Sequence, residues 1–438
     1  MRIIETPYGS FPENYHLNKL EDLCVKKIGI QTGPFGSQLH NSDYVSIGTP
    51  ILTVEHLGEN RILHENIPRV TDDDRRRLSR YSVKKGDIIF SRVGSVDRRA
   101  LVREGEDGWL FSGRCLRVRP DPEKLDSVFL SYLMGLPSFK EYIRKIAVGA
   151  TMPSINTKIL SDIPICYPPL PTQHAISCIL GSLDDKIELN RKMNETLEAM
   201  ARAIFKSWFV DFDPVQVKAE GRQPLGMGPE TSALFPERFE DSEIGEIPLG
   251  WKIEPFEKIL HHSTERIGSG QAVEYSATVT GLTLRDERFN KQLSKTREKN
   301  KKIVKGDLVF GLSRKIVNFG LMKENIGSVS PVYEIFKVNS DVYIPELLEM
   351  QIRYDMSNYI DILKPSAREG QAIDREYLLS KVVLVPDMQV QKKYYQIYSI
   401  HQQKIENNEQ QSRTLAQIRD ALLPKLMSGE IRVDTPSS

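Results

Sequence analysis

The sequence predicts an α+β fold in which two mixed α/β domains follow one another along the chain, each ending in a long helix. Three observations predict it: an internal repeat with a nearly constant offset, a heptad pattern of apolar residues, and a segregation of charge along the chain. With 438 residues, 39% of them hydrophobic, the chain has enough material for two or three domains that each bury a core.

The repeat relates the first half of the chain to the second. The string Lys-Gly-Asp-Ile-Ile-Phe at residues 85–90 recurs as Lys-Gly-Asp-Leu-Val-Phe at residues 305–310, which is 220 positions later. An offset of 218 aligns five further pairs: Pro168 with Pro386, Gln173 with Gln391, residues 186–188 with 404–406, Asn190 with Asn408, and Leu197 with Leu415. The sequence therefore predicts a tandem duplication with a pseudo-two-fold internal repeat.

A long helix is predicted at the end of each repeat. Mostly apolar residues spaced alternately by four and three form a heptad seam, with Thr172 as the expected N-cap of the first helix. The seam positions are Ile176, Leu180, Leu183, Ile187, Asn190 and Leu197 in the first helix, and Ile405, Asn408, Leu415 and Leu422 in the second. The second helix is expected to begin near Met388, with Gly429 suited to end it. We expect the helices to pair with each other, the alternative being that each packs only on its own domain.

Shorter elements are predicted inside each repeat, with a linker between the repeats. Strands are expected at residues 50–54, 87–90, 116–118, 163–167, 307–310, 332–338 and 382–385, and short helices at residues 128–136, 138–146 and 345–356. Residues 213–250 are rich in Gly, Pro and Glu and show no periodicity, which is typical of a linker.

The charge distribution indicates two polyanion-binding segments. The net charge of the whole chain is only +1, but residues 61–119 hold 15 basic and 9 acidic residues, a net of +6. Residues 285–323 hold 12 basic and 4 acidic residues (+8), whereas residues 211–248 hold 9 acidic and 3 basic residues (−6). A run of like charge is often just a solvated face, but two basic runs at corresponding places suit a protein that grips a polyanion twice.

Motifs for catalysis, metal binding and secretion are missing from the sequence. It contains no Gly-rich phosphate loop, no Asn/Asp-Pro-Pro-aromatic turn of the kind that amino methyltransferases use, and no HxxxH zinc pair. The four cysteines form no CxxC pair, and neither a signal peptide nor a membrane-spanning segment is predicted. We expect a cytoplasmic protein with reduced thiols and no metal.

Polar loops that differ between the repeats are the candidate DNA-binding sites. Gly permits close backbone approach, Gln can pair with adenine, and Arg can bind phosphates or guanine edges. The candidates are Thr32, Gly33, Phe35, Gly36, Ser37, Gln38, Ser91, Arg92, Arg98, Arg99 and Thr151 in the first repeat, and Arg285, Ser313, Arg314, Lys315, Arg368 and Gln371 in the second. A scaffold that repeats while its loops diverge is suited to read two different short sequences.

Four parts of the sequence carry distinctive strings. They are Pro-Pro-Leu-Pro-Thr-Gln at residues 168–173 leading to Leu-Asp-Asp-Lys-Ile at 183–187, Trp-Phe-Val-Asp-Phe-Asp-Pro-Val at 208–215, Pro-Leu-Gly-Trp at 248–251, and Leu-Leu-Pro-Lys-Leu-Met-Ser-Gly-Glu-Ile at 422–431. These strings resemble the specificity subunits of type I restriction-modification systems, and the resemblance covers nearly the whole chain. The sequence departs from the family pattern at its opening, residues 12–15, and the second repeat lacks a loop like residues 33–37.

The resemblance implies a division of the chain and a set of partners. The implied segments are residues 1–167 (first target recognition domain), 168–210 (central helix), 211–247 (acidic linker), 248–386 (second target recognition domain), 387–430 (distal helix) and 431–438 (tail). Each recognition domain would read one half of a split site in double-stranded DNA, and the helices would form an antiparallel coiled coil. Two modification subunits and restriction subunits would join the chain, and S-adenosylmethionine, ATP and Mg would act in those partners, with no cofactor in this chain.

Two other classes of protein stay open on the sequence alone. One is a single-chain DNA methyltransferase or nuclease with a remote motif, which would act on DNA without partners. The other is a coiled-coil assembly protein whose basic segments are incidental, which would not distinguish a bipartite site from scrambled DNA.

Overall fold

The computed structural model describes residues 3–34, 38–270, 272–285, 297–312, 316–365 and 371–433. The strands, numbered in chain order, are β1 Ile3–Thr6, β2 Gly9–Pro12, β3 His16–Lys19, β4 Ile30–Thr32, β5 Thr49–Leu52, β6 Arg69–Val70, β7 Ile88–Ser91, β8 Arg99–Leu101, β9 Leu110–Phe111, β10 Cys115–Val118, β11 Pro164–Tyr167, β12 Phe239–Ser242, β13 Gly245–Pro248, β14 Lys252–Pro255, β15 Leu260–Ser263, β16 Tyr275–Thr278, β17 Gly281–Leu284, β18 Lys301–Val304, β19 Asp307–Phe310, β20 Phe319–Leu321, β21 Ile326–Val329, β22 Glu334–Val338, β23 Leu363–Pro365, β24 Gln371–Ile373 and β25 Val382–Val385.

The helices complete a mixed α/β chain and include two of 40 residues each. They are α1 Asp72–Arg77, α2 Ser127–Leu133, α3 Pro137–Ile146, α4 Thr157–Ser161, α5 Leu170–Phe209, α6 Asp213–Ala219, α7 Pro229–Ser232, α8 Pro345–Tyr354, α9 Arg375–Ser380 and α10 Met388–Met427. Every predicted strand and short helix has a counterpart here, with ends that shift by a few residues.

The chain divides into two compact units. The first consists of Met1–Lys192 and Asn408–Ser438, and the second of Met193–Asn407. The division falls inside α5 and α10, so each long helix gives one half to each unit. The functional segments proposed from the sequence, with boundaries at 168, 211, 248 and 387, stay a prediction.

The first unit is built around a four-stranded antiparallel sheet of order β4-β10-β7-β8. Its central strand β7 is buried throughout, and Phe90 and Leu116, which pair across β7 and β10, are both in the core. Leu423, Leu426 and Met427 of α10 belong to the same core as Ile176 and Leu180 of α5. The first unit therefore needs residues from both ends of the sequence.

The second unit contains a four-stranded sheet of the same kind, with the order β15-β22-β19-β20. Its core packs Phe205, Trp208 and Phe209 of α5 against Tyr394 of α10, whose hydroxyl donates to the Ala201 carbonyl at 3.0 Å. The aromatic cluster thus attaches both helices to the second unit.

The same hydrogen bonds recur in the two units around a buried glutamine. In the first unit the Gln173 amide donates to the Pro168 carbonyl at 2.8 Å and accepts from the Asp126 backbone N–H at 2.8 Å. In the second unit Gln391 donates to the Pro386 carbonyl at 2.9 Å and accepts from the Ile344 N–H at 2.9 Å. All three second-unit residues lie 218 positions after their first-unit counterparts. Each glutamine therefore joins the start of a long helix to the start of a short one, α2 or α8.

The structure corrects the predicted start of the first long helix and agrees with the predicted end of the second. Thr172 is not the N-cap of α5, because the helix begins at Leu170 and the Pro169 carbonyl already accepts from the Thr172 N–H at 3.0 Å. Pro171 is tolerated there because the first turn of a helix has backbone N–H groups without helical partners. Gly429, by contrast, follows α10 with a φ of +70°, as predicted for a residue that ends the helix.

The predicted linker also contains regular structure. Residues 213–248 form α6, α7 and the β12–β13 hairpin, and the side chains of Val215 and Phe235 are buried in the core of the second unit. Lys218 fastens the segment by donating to the Phe235 carbonyl at 2.6 Å. Single buried residues such as Val215 and Phe235 do not recur at a regular spacing, so a search for periodic apolar positions could not detect them.

Candidate nucleic-acid interface

The polar loops predicted in the first unit meet at one end of its four-stranded sheet. Because neighbouring strands are antiparallel, the end of β4 at Thr32 and the end of β7 at Ser91 lie beside the start of β10 at Cys115. Gly33 follows β4 at a place where an added Cβ would lie 2.1 Å from the Ser112 carbonyl oxygen, so only glycine fits. The sheet therefore gathers loops that are far apart in sequence.

Arg92 is the centre of this loop cluster. Its guanidinium donates to the Gly113 carbonyl at 3.2 Å and to the Thr32 hydroxyl at 3.4 Å. Its backbone carbonyl accepts from the Ile155 N–H at 3.0 Å, which fastens the loop containing the exposed Thr151 to the same place. The structure thus brings together Thr32, Arg92 and the Thr151 loop, three of the candidates selected from the sequence.

Arg98 and Arg99 have opposite environments. Arg98 is exposed, with its guanidinium 3.5 Å from the Val54 carbonyl. Arg99 is 2% exposed and is held by the Ser131 carbonyl at 2.6 Å and by Glu59 at 2.7 Å. Arg99 is therefore removed from the candidate interface, because its guanidinium is buried and paired with Glu59 inside the unit.

Ser91 and Gln38 also have internal partners. Ser91 is fully buried and its hydroxyl donates to the Val93 carbonyl at 3.0 Å, so it is removed as a DNA contact. The Gln38 amide accepts from the Tyr81 hydroxyl at 2.9 Å, in a group that includes Arg80 over the Tyr81 ring. Gln38 is thus placed with Tyr81 rather than with Arg92. Phe35, Gly36 and Ser37 lie outside the described residues.

Part of the basic character of residues 61–119 is neutralised internally. Both oxygens of the buried Asp87 carboxylate accept from Arg119 at 2.7 Å, and Arg117 lies 3.8 Å away. Arg61 lies 3.2 Å from Glu188 of α5, whose pKa is lowered to about 2 by the hydrogen bond from Arg191 and by both positive charges. The local charge of +6 therefore overstates what the surface offers to DNA.

Only part of the predicted site in the second unit can be located. The Arg285 side chain is 15% exposed, lies 4.0 Å from the Glu274 carboxylate and is 3.4 Å from the Ser276 hydroxyl. This burial beside a carboxylate makes Arg285 a poor surface contact. Ser313, Arg314, Lys315 and Arg368 lie outside the described residues, and Gln371 is described only as part of the backbone of β24.

The structure adds residues that the sequence analysis did not select. In the first unit Arg114 is exposed directly before β10, and its backbone carbonyl accepts from the Arg92 N–H at 2.8 Å. At the corresponding sheet end of the second unit, Glu334 lies 2.5 Å from His262. Arg375 and Lys301 lie nearby, and desolvation together with Arg375 lowers the pKa of Lys301. These residues meet through strand pairing across long stretches of sequence, which no local pattern signals.

Within the described ranges, no group of three or more His, Cys, Asp or Glu side chains is arranged to hold a metal ion. Among the same residues, no helix is both long enough and apolar enough to cross a membrane.

Comparison with known proteins shows which proteins this chain resembles. Residues 12–199 match the family model of the type I restriction modification DNA specificity domain. Over 98% of its length the chain is 24% identical to the type I restriction enzyme MjaIX specificity subunit of Methanocaldococcus jannaschii, covering 96% of that protein. Over 40% of its length it is 36% identical to the HindI specificity subunit of Haemophilus influenzae, covering 38% of that protein.

A solved structure supports the fold. The crystal structure of a type I restriction-modification S subunit from M. genitalium aligns over 97% of this chain and 99% of its own length, with a TM-score of 0.54 and 15% identity. The DNA specificity domain thus accounts for residues 12–199, and over nearly its whole length the chain is similar to specificity subunits of type I restriction-modification systems. The resemblance predicted from the sequence strings is thereby confirmed, and the role of such a subunit is non-catalytic.

Proposed function

We propose that this specificity subunit reads a bipartite target in double-stranded DNA, with one recognition domain for each half-site. The observation that carries the proposal is the recurrence of one sheet order, β4-β10-β7-β8 and β15-β22-β19-β20, with different side chains at the same sheet end. In the first unit that end offers Arg92, Arg98 and Arg114, and in the second it offers Glu334 and Arg375. Different donors and acceptors on a common scaffold suit two different base sequences.

We further propose that α5 and α10 form an antiparallel coiled coil. In the first unit Asn190 of α5 is fully buried and donates to the Asn408 carbonyl at 3.3 Å and to the Gln411 side chain at 2.9 Å. Arg419 of α10 donates to Asp184 of α5 at 2.6 Å. Asp184 precedes Asn190 on α5, whereas its partner Arg419 follows Gln411 on α10, so the two helices run in opposite directions here. These contacts support the opposite directions that an antiparallel pair requires.

The partners follow from the family and are part of the proposal. Two modification subunits would dock on the helices and restriction subunits would join them, while S-adenosylmethionine, ATP and Mg would act in those partners and no cofactor would bind this chain. The decisive experiment is to sequence the methylation pattern in a host that carries this chain with its modification subunit. We expect a split motif methylated on adenine, and a continuous motif or methylation by this chain alone would contradict the proposal.

Arg98→Ala is expected to relax one base position in one half-site, because this exposed arginine lies at the same sheet end of the first unit as Arg92 and Arg114. We expect a loss of about 1–3 kcal/mol in affinity for the intact site. The measurement is binding of the assembled enzyme to duplexes in which each position is changed in turn. The matched control is Arg76→Ala, also exposed but paired with Asp73 in α1, which should change no base preference. Equal weakening on all sequences would show that Arg98 contacts only phosphate.

Asn190→Leu is expected to stabilise the helix pair by about 1 kcal/mol while weakening its register, because a buried amide at a seam position costs stability. The side-chain amide oxygen of Asn190 is buried without a hydrogen-bond partner among the described residues, which adds to that cost. Chemical unfolding should show the gain, and cysteine cross-linking between α5 and α10 should show added registers. A stability loss above about 1 kcal/mol would contradict this account.

A further inference from the structure

A buried polar network crosses the first unit from α10 to β8. It consists of Arg419, Asp184, Tyr132, Asn60, Ser131 and Arg99. Arg419 donates to one oxygen of Asp184 at 2.6 Å, and the other oxygen accepts from the Tyr132 hydroxyl at 2.6 Å. The network therefore begins on the helix pair and reaches α2 within two hydrogen bonds.

Asn60 carries the network onwards to the strand. Its amide donates to Asp184 at 3.3 Å, and its carbonyl oxygen accepts from the Ser131 hydroxyl. The Ser131 backbone carbonyl then accepts from the Arg99 guanidinium at 2.6 Å. Asn60 has a φ of +56°, a left-handed conformation that asparagine tolerates better than most residues.

Arg99 connects the network to the loop between β7 and β8, residues 92–98, which carries Arg92 and Arg98. Arg99 of β8 pairs with Phe90 of β7. The backbone carbonyl of the preceding residue, Arg98, accepts a hydrogen bond from the Ser91 N–H at 3.0 Å. Residues 92–97 therefore connect β7 to β8, and β8 is joined to the network through Arg99.

Packing leaves the network little freedom. Asn60, Ser131, Tyr132 and Arg99 are each less than 5% exposed, and a Cβ added at Gly135 would lie 2.0 Å from the Arg99 guanidinium. Hydrogen bonds in such a low-dielectric interior are costly to break, so the network holds one geometry.

The second unit has different residues at the equivalent places. Phe319 pairs with Phe310 as Arg99 pairs with Phe90, and Met350 stands 218 positions after Tyr132. The guanidinium there comes from Arg353, 218 positions after Gly135, which stacks over Phe319 at 4.6 Å and donates to Glu349 at 2.8 Å. That arrangement ties α8 to β20. The Tyr394 hydroxyl of α10 lies 3.3 Å from the Met350 sulfur and donates to the Ala201 carbonyl of α5, so here the connecting hydroxyl comes from α10 and not from the short helix.

We propose that Tyr132 and Asp184 are positioning residues for DNA reading by the first unit, because they couple the helix pair to the loop that carries Arg92 and Arg98. The inference rests on the proposed function. Tyr132 and Asp184 touch no base, and they act by fixing the strand from which the loop projects. The second unit uses Tyr394 and Met350 instead, so substitutions at Tyr132, Ser131 or Asp184 should affect only the half-site that the first unit reads.

The test uses the full chain assembled with its modification subunit, and the Arg98→Ala variant first identifies the half-site that the first unit reads. Tyr132→Phe then removes one hydroxyl and keeps the ring, and Ser131→Ala removes the link to Asn60. Each should reduce discrimination at that half-site roughly 2- to 30-fold, the range for residues that couple distant sites. Discrimination at the other half-site should not change. The matched control is Tyr394→Phe, which removes a buried hydroxyl that contacts α5 and α8 in the second unit and should leave the first unit's half-site unchanged.

The inference would be overturned by unchanged discrimination in both variants, by an equal change at both half-sites, or by reduced discrimination at the first unit's half-site in Tyr394→Phe. A lower unfolding temperature without relaxed half-site preference would also overturn it, since that result indicates a purely structural role. If the unaltered enzyme showed no preference for a split site, the proposed function itself would fail, and that result is separate from the other outcomes.

Discussion

Asp87→Asn is expected to destabilise the first unit by about 3–5 kcal/mol, because it leaves buried positive charge without its counter-charge. The Asp87 side chain is 1% exposed, and its two oxygens bind the Arg119 guanidinium at 2.7 Å each. Arg117, 2% exposed and 3.8 Å away, depends on the same carboxylate. Hydrogen exchange in β7 against denaturant concentration measures the loss, and a change below about 1 kcal/mol would contradict it.

The matched control is Asp307→Asn, 220 positions later. Asp307 occupies the same turn, where its carboxylate accepts from the Val304 N–H at 2.9 Å as Asp87 accepts from the Lys84 N–H at 2.7 Å. Its paired residue across the sheet is Lys337, which lies 3.7 Å from Glu265. An asparagine can accept the same backbone hydrogen bond, so this variant should cost less than about 1 kcal/mol at neutral pH.

Asp307→Asn should also change how the stability of the second unit depends on pH. Desolvation raises the pKa of Asp307 in the folded chain above its ordinary value. The unfolded carboxyl therefore ionises first as the pH rises, and folded stability falls between the ordinary pKa and the raised one. Asp307→Asn removes this loss, so its stability relative to the parent should improve as the pH increases through that window. An improvement on acidification instead would contradict the assigned direction.

Gln173→Ala and Gln391→Ala are each expected to cost about 2–4 kcal/mol, the first in the first unit and the second in the second. Each side chain is fully buried, and its removal leaves a cavity and a backbone N–H, of Asp126 or Ile344, without its acceptor. Two equal losses in different units would show that the repeated hydrogen bonds have the same function in both.

Denaturant unfolding followed by hydrogen exchange separates the two units in this experiment. Gln403→Ala is the control, because that glutamine is exposed on α10 and its removal should change stability by less than about 0.5 kcal/mol. A loss confined to Gln173→Ala would mean that the two starts of the long helices are stabilised differently.

The sequence predicts the scaffold well, because the scaffold depends on local patterns. The heptad seam predicts α5 and α10, and the repeated Lys-Gly-Asp turn places β7 and β19, with Gly86 and Gly306 at φ of +88° and +89°. The regular structure at residues 213–248, which the sequence analysis took for a linker, was not predicted, because the burial of Val215 and Phe235 depends on residues far away in the sequence.

The candidate interface was less predictable than the scaffold, for an electrostatic reason. Arginines that bind DNA and arginines that neutralise buried carboxylates look alike in a sequence. Arg98 and Arg99 are adjacent, yet one is exposed and the other is bound to Glu59 and Ser131. Which strand face a residue occupies depends on register, and only the structure gives that register.

The composition of the first unit has a consequence for protein synthesis. Leu423, Leu426 and Met427 belong to its core, so the unit cannot be completed when its first 192 residues have left the ribosome. At roughly 5–20 residues per second, the 216 residues from Lys192 to Asn408 take about 10–45 s to translate. During that interval the apolar face of α5 at Ile176 and Leu180 has no α10 to cover it. A segment that is translated later therefore completes a core whose other residues were translated more than 200 positions earlier.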